Sequence, residues 1–411
     1  MEPFDAIVIG AGPAGMMAAI RAAERNRKIL LVERNSAPGL KLLLSGKSRC
    51  NLTNSCEIEE FLGKFSQSRD FLRNAFAKFF NTDLMSFFEE ARLKLKTERG
   101  GRVFPESGKS GDVLGVLTSK LKNKNIKVLF GERVRELLVK DKKIEGILTV
   151  SGRRFLGAHV AIATGGLSYP GTGSTGDGYT IAEALGHEIM PLKSALCPLL
   201  IKERFIKDWQ GISLRNVRLT LFAGGKKTDE KFGEMLFTHF GVSGPIILDM
   251  SASVDDALAL KKEAVISINL KPALDHKKLN ARLLREFQAT PAKSLKNVFR
   301  QLLPRGMIRR FLERCGINGD KKAGQTTAEE RKKLVEGLLD FRLTVRGVQP
   351  VQYGIVTRGG VNTKEINPKT MESRLVPGLF FAGEVIDIDA KSGGYNMQAA
   401  FSMGWVCGDN L

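Results

Sequence analysis

The sequence of 411 residues contains no run of 18 apolar residues, so it has no segment typical of a transmembrane helix. Its five cysteines are scattered and form no CxxC pair, which argues against a disulfide framework and is typical of cytoplasmic thiols. The four histidines lie far apart and show no metal-ligand spacing. A strand-like run begins at residue 6, which leaves no room for a signal or transit peptide. We therefore expect a cytoplasmic protein, with no metal site and no membrane partner.

Positive charge is what the chain has in excess. It carries 64 Lys and Arg against 44 Asp and Glu, a net charge of +20, and residues 271–334 alone hold 17 Lys and Arg against 6 Asp and Glu. Either this segment binds nucleic acid or another anionic partner, or it is a solvated helical face. No aromatic residues alternate with these charges as a base-stacking platform would require. We therefore favour the solvated face, and nucleic acid is not the expected partner.

The most informative segment is residues 6–33. A short apolar strand runs into Gly10-x-Gly12-x-x-Gly15, an alanine-rich helix follows, and a second strand ends on Glu33. The glycines allow a tight turn, a close approach of the backbone to a pyrophosphate and close helix packing, while the helix N-terminus attracts phosphate. A carboxylate at Glu33 accepts hydrogen bonds from a ribose 2′-OH, which favours FAD or NAD over NADP. The cofactor-binding candidates here are Gly10, Gly12, Pro13, Ala14, Gly15, Glu33 and Arg34.

A polar loop, residues 39–54, follows the second strand beside the expected pyrophosphate. Its cations can neutralise phosphate, and its hydroxyl and amide groups can donate hydrogen bonds to a ligand. Cys50 is expected to be a packed small residue rather than a redox thiol, because no resolving cysteine lies nearby in the sequence. The candidates in this loop are Lys41, Ser45, Gly46, Arg49, Cys50, Asn51, Thr53 and Asn54.

Two further glycine-rich segments follow buried strands. Residues 164–178 come after the strand at 159–163 and are expected to touch the adenosine half of the cofactor. Residues 383–398 include a helix that begins at a double glycine, and such a helix start can aim N–H groups at an anionic flavin edge and stabilise the reduced flavin. Candidates from these segments, together with Val134 at the start of a strand-like run, are Val134, Thr164, Gly165, Gly166, Gly383, Glu384, Asp387, Gly394, Tyr395, Asn396 and Gln398.

The periodicity of apolar residues predicts several further elements. Helices are predicted over 61–80, 83–93 and 112–122. The region 279–314 is predicted to be helical with a break near Pro304.

The pattern of apolar and polar residues changes near residues 190, 271 and 347, which predicts three domains. A cofactor domain is expected from residues 1–190 and 347–411. A strand-rich substrate domain is expected from 191–270 and 335–346, and a helical insert from 271–334.

Together these segments resemble one family, the bacterial FAD flavoproteins that include aminoacetone oxidase and the BaiN-type reductases. The match runs from residue 6 to residue 404. One departure is clear: the family often has Ser-Gly-Gly-Gly-Arg where this chain has Ser45-Gly46-Lys47-Ser48-Arg49. The shared motifs, as they stand in this chain, are GAGPAG (10–15), KLLLSG (41–46), RCNLTN (49–54), GRVFP (101–105), ATGG (163–166), FTHFGVSGP (237–245), GGV (359–361), GEVID (383–387) and GGYNMQAA (393–400).

The resemblance implies an α/β protein with a glutathione-reductase-like FAD-binding domain that is split in sequence, an inserted β-barrel-like domain and a small helical domain. It also implies noncovalent FAD and electron transfer to or from a small-molecule substrate. The family includes an amine oxidase that uses O₂ and enone reductases that use a nicotinamide. NADH or NADPH as a transient donor and amine oxidation therefore both stay open.

Two points stay open at this stage. The alternative function is a flavin-containing RNA-binding or tRNA-modifying protein, which the basic insert suggests. No catalytic residue is identified; His239, in a glycine-bounded loop, is a candidate general base, and the alternative is a histidine hydrogen-bonded within its own loop.

The assignment of Glu33 yields a first prediction. Wild-type protein should carry one noncovalent FAD per chain, released as FAD by acid. The substitution Glu33→Arg should strongly reduce FAD content, because it places a cation where the ribose hydroxyls are expected. Flavin absorbance per chain measures the effect, and unchanged occupancy would contradict the role of Glu33.

Overall fold

The fold is taken from a computed structural model that describes residues 3–66 and 68–411. Gln67, which falls in the predicted helix 61–80, lies outside the described residues. The strands are β1 (Phe4–Ile9), β2 (Ile29–Val32), β3 (Thr53–Asn54), β4 (Leu95–Glu98), β5 (Arg102–Pro105), β6 (Ile126–Leu129), β7 (Val134–Lys140), β8 (Lys143–Thr149), β9 (Arg154–Ile162), β10 (Ile189–Ala195), β11 (Leu199–Ile201), β12 (Ser213–Ala223), β13 (Lys226–Phe237), β14 (Gly241–Ser243), β15 (Ala264–Asn269), β16 (Phe341–Val348), β17 (Val356–Val361) and β18 (Leu379–Phe381). The α-helices are α1 (Pro13–Glu24), α2 (Leu40–Ser48), α3 (Ile58–Leu62), α4 (Arg69–Lys78), α5 (Asn81–Glu90), α6 (Ser110–Lys120), α7 (Asp177–Ala184), α8 (Pro245–Ala259), α9 (His276–Ala289), α10 (Leu295–Val298), α11 (Arg305–Arg314), α12 (Ala328–Leu339) and α13 (Tyr395–Asn410).

The chain divides into two compact units. Unit 1 comprises Met1–Ala195 and Pro350–Leu411, and unit 2 comprises Leu196–Gln349. The cofactor unit is thus split in sequence by a contiguous insertion. The further division of the insertion into a strand-rich and a helical domain stays a prediction.

A seven-stranded sheet forms the centre of unit 1. Strands β6, β2, β1, β9 and β18 run parallel, and β8 and β7 extend the sheet antiparallel from β9. The parallel strands end in register, because Ile9 pairs with both Val32 and Ile162, and Ile162 also pairs with Phe381. The loops that follow these strands therefore meet at one edge of the sheet, which is where ligands bind in such folds.

Helices α1 and α13 pack against each other beside this sheet. Gly404 and Gly408 of α13 face α1, and a Cβ on either would lie within 2.5 Å of the carbonyl oxygen of Ala14 or Ala18. The small residues on both helices therefore permit backbones to approach closely. Any larger side chain at Gly404 or Gly408 would push the C-terminal helix away from the dinucleotide-binding helix.

Unit 2 contains a closed six-stranded barrel in the order β11-β14-β13-β12-β15-β16. Inward-facing aliphatic residues alternate along β12, where Leu219 and Leu221 are fully buried. Trp209 and Phe237 pack in the same core with their ring centroids 5.0 Å apart. The predicted α/β architecture, with a parallel sheet in the split unit and a closed barrel in the insertion, is confirmed.

Two local predictions were wrong. The helix predicted over 61–80 is two helices, α3 and α4, because Phe65 forms an isolated β-bridge with Ala390 and takes the chain out of the helix. The segment predicted as a loop from 39 to 54 contains helix α2, which is broken at Ser45–Lys47.

A buried histidine joins three separated segments of unit 1. His187 Nδ1 lies 3.0 Å from Glu365 Oε2, and its Nε2 lies 2.9 Å from Ser373 Oγ. Burial lowers the pKa of His187, and the neighbouring Glu365 opposes this shift only in part. The neutral imidazole is therefore the form that the folded protein favours.

This arrangement predicts a pH-dependent stability. Because the folded pKa is lower than the ordinary value near 6.5, the unfolded chain takes up the proton first, and stability should fall as the pH drops below about 6.5. The melting temperature should therefore fall more between pH 7.5 and pH 5.5 in the wild type than in His187→Gln, which keeps hydrogen-bonding groups but does not titrate. An equal fall in both proteins would contradict the assignment.

Candidate functional site

The edge where the parallel strands end gathers the motif residues. Gly15 must be glycine, because a Cβ there would lie 1.9 Å from the carbonyl oxygen of Gly10. Glu33 is 7% exposed; its Oε2 accepts from the backbone N of Ala11 at 2.8 Å and its Oε1 accepts from the backbone N of Asn35 at 2.9 Å. The carboxylate is thus held beside the glycine turn.

A charged cluster lies next to Glu33. Arg34 donates to Thr175 and, at 3.1 Å, to Asp177 Oδ2, and Arg133 forms a bidentate pair with the same Asp177 at 2.8 Å. Burial raises the pKa of Asp177, but these hydrogen bonds and charges outweigh it and hold the pKa below its usual value. Val134 follows Arg133 directly, at the start of β7.

A second network connects the loop after β9 with the C-terminal motif. Thr357 Oγ1 accepts from the backbone N of Leu167 at 2.8 Å, and the backbone N of Thr357 donates to Glu384 Oε1 at 2.8 Å. The other carboxylate oxygen of Glu384 accepts from Lys41 Nζ at 2.6 Å. A Cβ on Gly166 would lie 2.3 Å from Thr357 Oγ1, so this network also requires a glycine at 166.

The start of helix α13 lies against strand β3. Gly394 has φ 98°, and a Cβ there would lie 2.4 Å from the carbonyl of Thr53. When the Asn51 amide is oriented so that both its oxygen and its nitrogen form hydrogen bonds, the oxygen accepts from the backbone N of Gly394 at 3.0 Å. Asn54 donates to the carbonyl of Gly393 at 3.2 Å. Residues 51–54 and 393–394, which the sequence analysis treated separately, therefore form one surface.

Several residues of the loop in which this chain departs from the family have a left-handed backbone conformation. Gly46, Lys47, Ser48 and Cys50 have φ between 56° and 63°. Lys47 and Ser48 therefore keep the backbone conformation that suits the family's glycines, although L-residues pay about 1–2 kcal/mol for it. Both side chains are exposed.

Several candidates direct their side chains elsewhere. Arg49 pairs with Glu98 and lies over the ring of Phe104. Cys50 is fully buried, and burial raises its pKa to about 11 despite a hydrogen bond with Ser45. These two residues contribute to the packing of the loop.

The side chains at the start of α13 also have partners within the protein. Tyr395 packs edge-to-face on Phe61 with the ring centroids 4.8 Å apart. Asn396 exchanges two 2.9 Å hydrogen bonds with the backbone of Ala390 and closes the loop before the helix. The amide of Gln398 is buried and donates to Ser402 Oγ at 3.0 Å.

Asp387 lies in the loop between β18 and α13 and is 8% exposed. Burial and the negative charge of Asp389 raise its pKa, while a hydrogen bond from the backbone of Gly359 and the charge of Arg358 oppose the shift. This carboxyl group keeps its proton to a higher pH than an ordinary aspartate.

His239 lies in unit 2, separate from the residues above. Its ring is exposed and contacts Phe240 edge-to-face, with the centroids 4.9 Å apart. Its role as a base stays a prediction.

The site fits a dinucleotide by two tests. Thr53 Oγ1 and Thr164 Oγ1, which belong to two of the motif segments, are buried and have no hydrogen-bond partner among the described residues. A Cβ on Gly12, at the N-terminus of α1, would meet nothing within 4 Å, whereas Gly10 and Gly15 are closely packed. Open space at a helix N-terminus, together with unpartnered hydroxyls in the motif segments, fits a bound pyrophosphate cofactor.

Two contributors were missed in the sequence. Asn35 contacts Glu33 and also donates to the carbonyl of Thr172, and Thr357 connects the loop after β9 to Glu384. The Gly359-Gly360 pair next to Thr357 was a usable signal. The sequence around Asn35 contains no such signal, because the role of Asn35 arises only when two distant loops come into contact.

Over residues 3–66 and 68–411, no helix is both long and apolar enough to cross a membrane, and no three His, Cys, Asp or Glu side chains are grouped to hold a metal.

Comparison with known proteins identifies the class. The HI0933-like protein Rossmann domain family matches residues 4–410. A ribosomal RNA dihydrouridine synthase of Escherichia coli is 33% identical, covering 100% of this chain and 98% of the relative. A 3-dehydro-bile acid delta(4,6)-reductase of Clostridium scindens is 28% identical, covering 98% and 97%. Among solved structures, a 3-ketosteroid delta1-dehydrogenase from Sterolibacterium denitrificans is similar with a TM-score of 0.53 and 12% identity, covering 100% of this chain and 99% of that chain.

The fold and the family define an FAD-dependent oxidoreductase with a Rossmann-type cofactor domain. The chain belongs to the HI0933-like family, so the resemblance to the flavoproteins that include the BaiN-type reductases is confirmed.

The close contact between Gly394 and Thr53 predicts that a side chain at position 394 reduces FAD binding, whereas a side chain at an uncrowded glycine does not. Gly394→Ala should lower FAD content at least severalfold, because its Cβ would force α13 away from β3. Gly152→Ala is the matched control: Gly152 also has a positive φ, of 85°, but its Cβ would meet nothing within 4 Å. Absorbance at the flavin band measures FAD per chain, and equal loss in both variants would show that backbone strain alone explains the effect.

Proposed function

We propose that this chain is an FAD-dependent reductase of a carbon–carbon double bond conjugated to a carbonyl group, with NADH or NADPH as the electron donor. Bound FAD would supply the hydride that such a double bond accepts. The chain's own residues would bind the cofactor, orient it and favour its reduced state.

The observation that carries the proposal is the start of α13 against β3. The N-terminus of a 16-residue helix favours negative charge, and the buried Thr53 hydroxyl beside it has no hydrogen-bond partner among residues 3–66 and 68–411. If the flavin pyrimidine edge lies there, these groups stabilise the charge that appears on reduction and not the neutral oxidised form. The arrangement would raise the flavin potential and favour electron uptake from a nicotinamide.

The remaining motif residues would hold the rest of FAD. Glu33 and Thr164 would bind the adenosine ribose, and the N-terminus of α1 at Gly12 would bind the pyrophosphate. The Lys41–Glu384 pair would hold the connecting loops in place. Cys50 would take no part in electron transfer, because a buried thiol with a pKa of about 11 does not form the thiolate that a relay needs.

The names of two relatives describe reactions on the same kind of double bond. Dihydrouridine is uridine whose C5–C6 double bond, conjugated to a carbonyl, has been saturated. A 3-dehydro-delta(4,6) bile acid likewise carries carbon–carbon double bonds conjugated to its 3-keto group. Both names describe an activated double bond beside a carbonyl, and this supports a reductase over an amine oxidase.

A second candidate is the more specific reaction, reduction of uridine in ribosomal RNA. The E. coli relative with that name matches over the whole of this chain. The net charge of +20 is compatible with an RNA substrate. The two candidates share the reduction of a conjugated double bond by the flavin. They differ in the molecule that carries this double bond, which is a small molecule in the first and ribosomal RNA in the second.

An anaerobic half-reaction experiment tests the proposed chemistry. NADH or NADPH should bleach the flavin band, and 2-cyclohexenone or ribosomal RNA lacking dihydrouridine should then restore it. The Cys50→Ser variant should behave like the wild type. Bleaching by candidate amines without a nicotinamide would favour the oxidase instead, and loss of reduction in Cys50→Ser with FAD still bound would replace this scheme with a thiol relay.

A further inference from the structure

The structure separates 15 of the 17 cations of residues 271–334 into two groups; the other two, Lys271 and Arg331, are half-buried. In the first group each cation has a carboxylate within 4 Å. Its members are Lys278, Arg282, Lys296, Arg309, Arg310, Lys321, Lys332 and Lys333. The second group is exposed and has no carboxylate at that distance among the described residues. Its members are Lys277, Arg285, Lys293, Arg300, Arg305, Arg314 and Lys322.

Two of the unneutralised cations lie on one face of α9. Leu279, Leu283 and Phe287 bury the opposite face, with exposures of 0–4%. Lys277 and Arg285 are eight residues apart on the exposed face, which places them about 12 Å apart along the helix axis.

Two more cations lie on backbone segments next to the C-terminal end of α9, where the backbone N of Gly324 donates to the carbonyl of Pro291. The backbone N of Ala323 donates to the carbonyl of Lys293 at 2.8 Å, and Ser294 forms a β-bridge with Lys322. The segments that carry Lys293 and Lys322 are therefore adjacent, directly after the helix. We call the set Lys277, Arg285, Lys293 and Lys322 the basic ridge.

The acidic residues near the ridge have other partners. Asp275 accepts from the backbone N of Lys278 at 2.7 Å and caps α9. Glu286 lies 3.9 Å from Arg282, and Asp320 pairs with Lys296. The four ridge cations therefore have no carboxylate within 4 Å among the described residues, as is also true of Arg300, Arg305 and Arg314.

We propose that the basic ridge is a docking surface for the phosphate backbone of RNA. The inference rests on the proposed function, since it names what would present a uridine to this reductase. A set of separated, unneutralised cations suits a polyanion with several charges better than a single small anion. An RNA bound there would be held by its backbone, without base readout at the ridge.

The test compares two variants with the same loss of charge. The ridge variant carries Lys277→Gln, Arg285→Gln, Lys293→Gln and Lys322→Gln. The matched control replaces four paired cations, Lys296, Arg309, Arg310 and Lys333, by Gln. The probe is a fluorescein-labelled 20-nucleotide oligouridylate, and binding to the FAD-loaded protein is measured by anisotropy at several salt concentrations.

The slope of log affinity against log salt should fall in magnitude by about 3 in the ridge variant, because each phosphate contact on a single strand contributes about 0.7. It should fall by less than about 1 in the control. FAD content and melting temperature should stay at the wild-type level. If the ridge variant does not fold, the double variants Lys277→Gln/Arg285→Gln and Lys293→Gln/Lys322→Gln should each show about half the change in slope.

Equal changes in the ridge variant and the control would overturn the proposal, since net charge would then explain binding. An unchanged slope in the ridge variant would overturn it as well. Loss of binding to phosphatidylglycerol vesicles with unaltered RNA binding would assign the surface to lipid instead.

The experiment distinguishes a failure of the proposed function from a failure of the basic ridge proposal. If the wild type bound the oligouridylate through the ridge but reduced neither 2-cyclohexenone nor RNA uridine with NADH or NADPH, the reductase proposal would fail and the ridge would stand. Reduction of 2-cyclohexenone should be the same in the wild type and the ridge variant.

Discussion

The common register of the carboxyl ends of β1, β2, β9 and β18 is the constraint on which the site depends. Because Ile9, Val32, Ile162 and Phe381 lie side by side, the loops that follow them lie together at one edge of the sheet. The glycine turn, Glu33, the Thr164 loop and the Gly383 loop are thereby assembled from four parts of the chain. A shift of one residue in any of these strands would reverse which side chains face the core and would displace its loop.

The loops are then fixed to one another by polar contacts rather than by apolar packing. Glu33 holds the turn after β1, and Glu384 connects Lys41 to Thr357. These carboxylates are partly or wholly buried, so each needs its partners to offset the cost of desolvation. Such connections are directional, so they fix each loop relative to the next. The residues that the motifs predict to bind FAD therefore also connect the loops to one another.

The sequence was most informative where the signal is local. The Gly10–Gly15 turn, its helix and Glu33 follow each other within 30 residues, and the family motifs extended the prediction to the barrel. It was least informative where distant segments meet. The bridge from Phe65 to Ala390 divides the predicted helix 61–80. Strand β13 carries a polar sequence, since most of its first ten residues are exposed or half-buried, and it gave no apolar pattern to detect. Thr357 acts only through its register with Leu167 and Glu384.

The split of unit 1 determines the order in which the chain can fold. Helix α13 packs on α1 through Gly404 and Gly408, and β18 completes the parallel sheet, yet both come from the last 33 residues. Unit 2 is continuous and leaves the ribosome before them. During synthesis the barrel can therefore close while the cofactor unit still lacks two strands, β17 and β18, and helix α13. Until they arrive, the Rossmann core exposes apolar surface, so the FAD unit is the part of the nascent chain most exposed to aggregation.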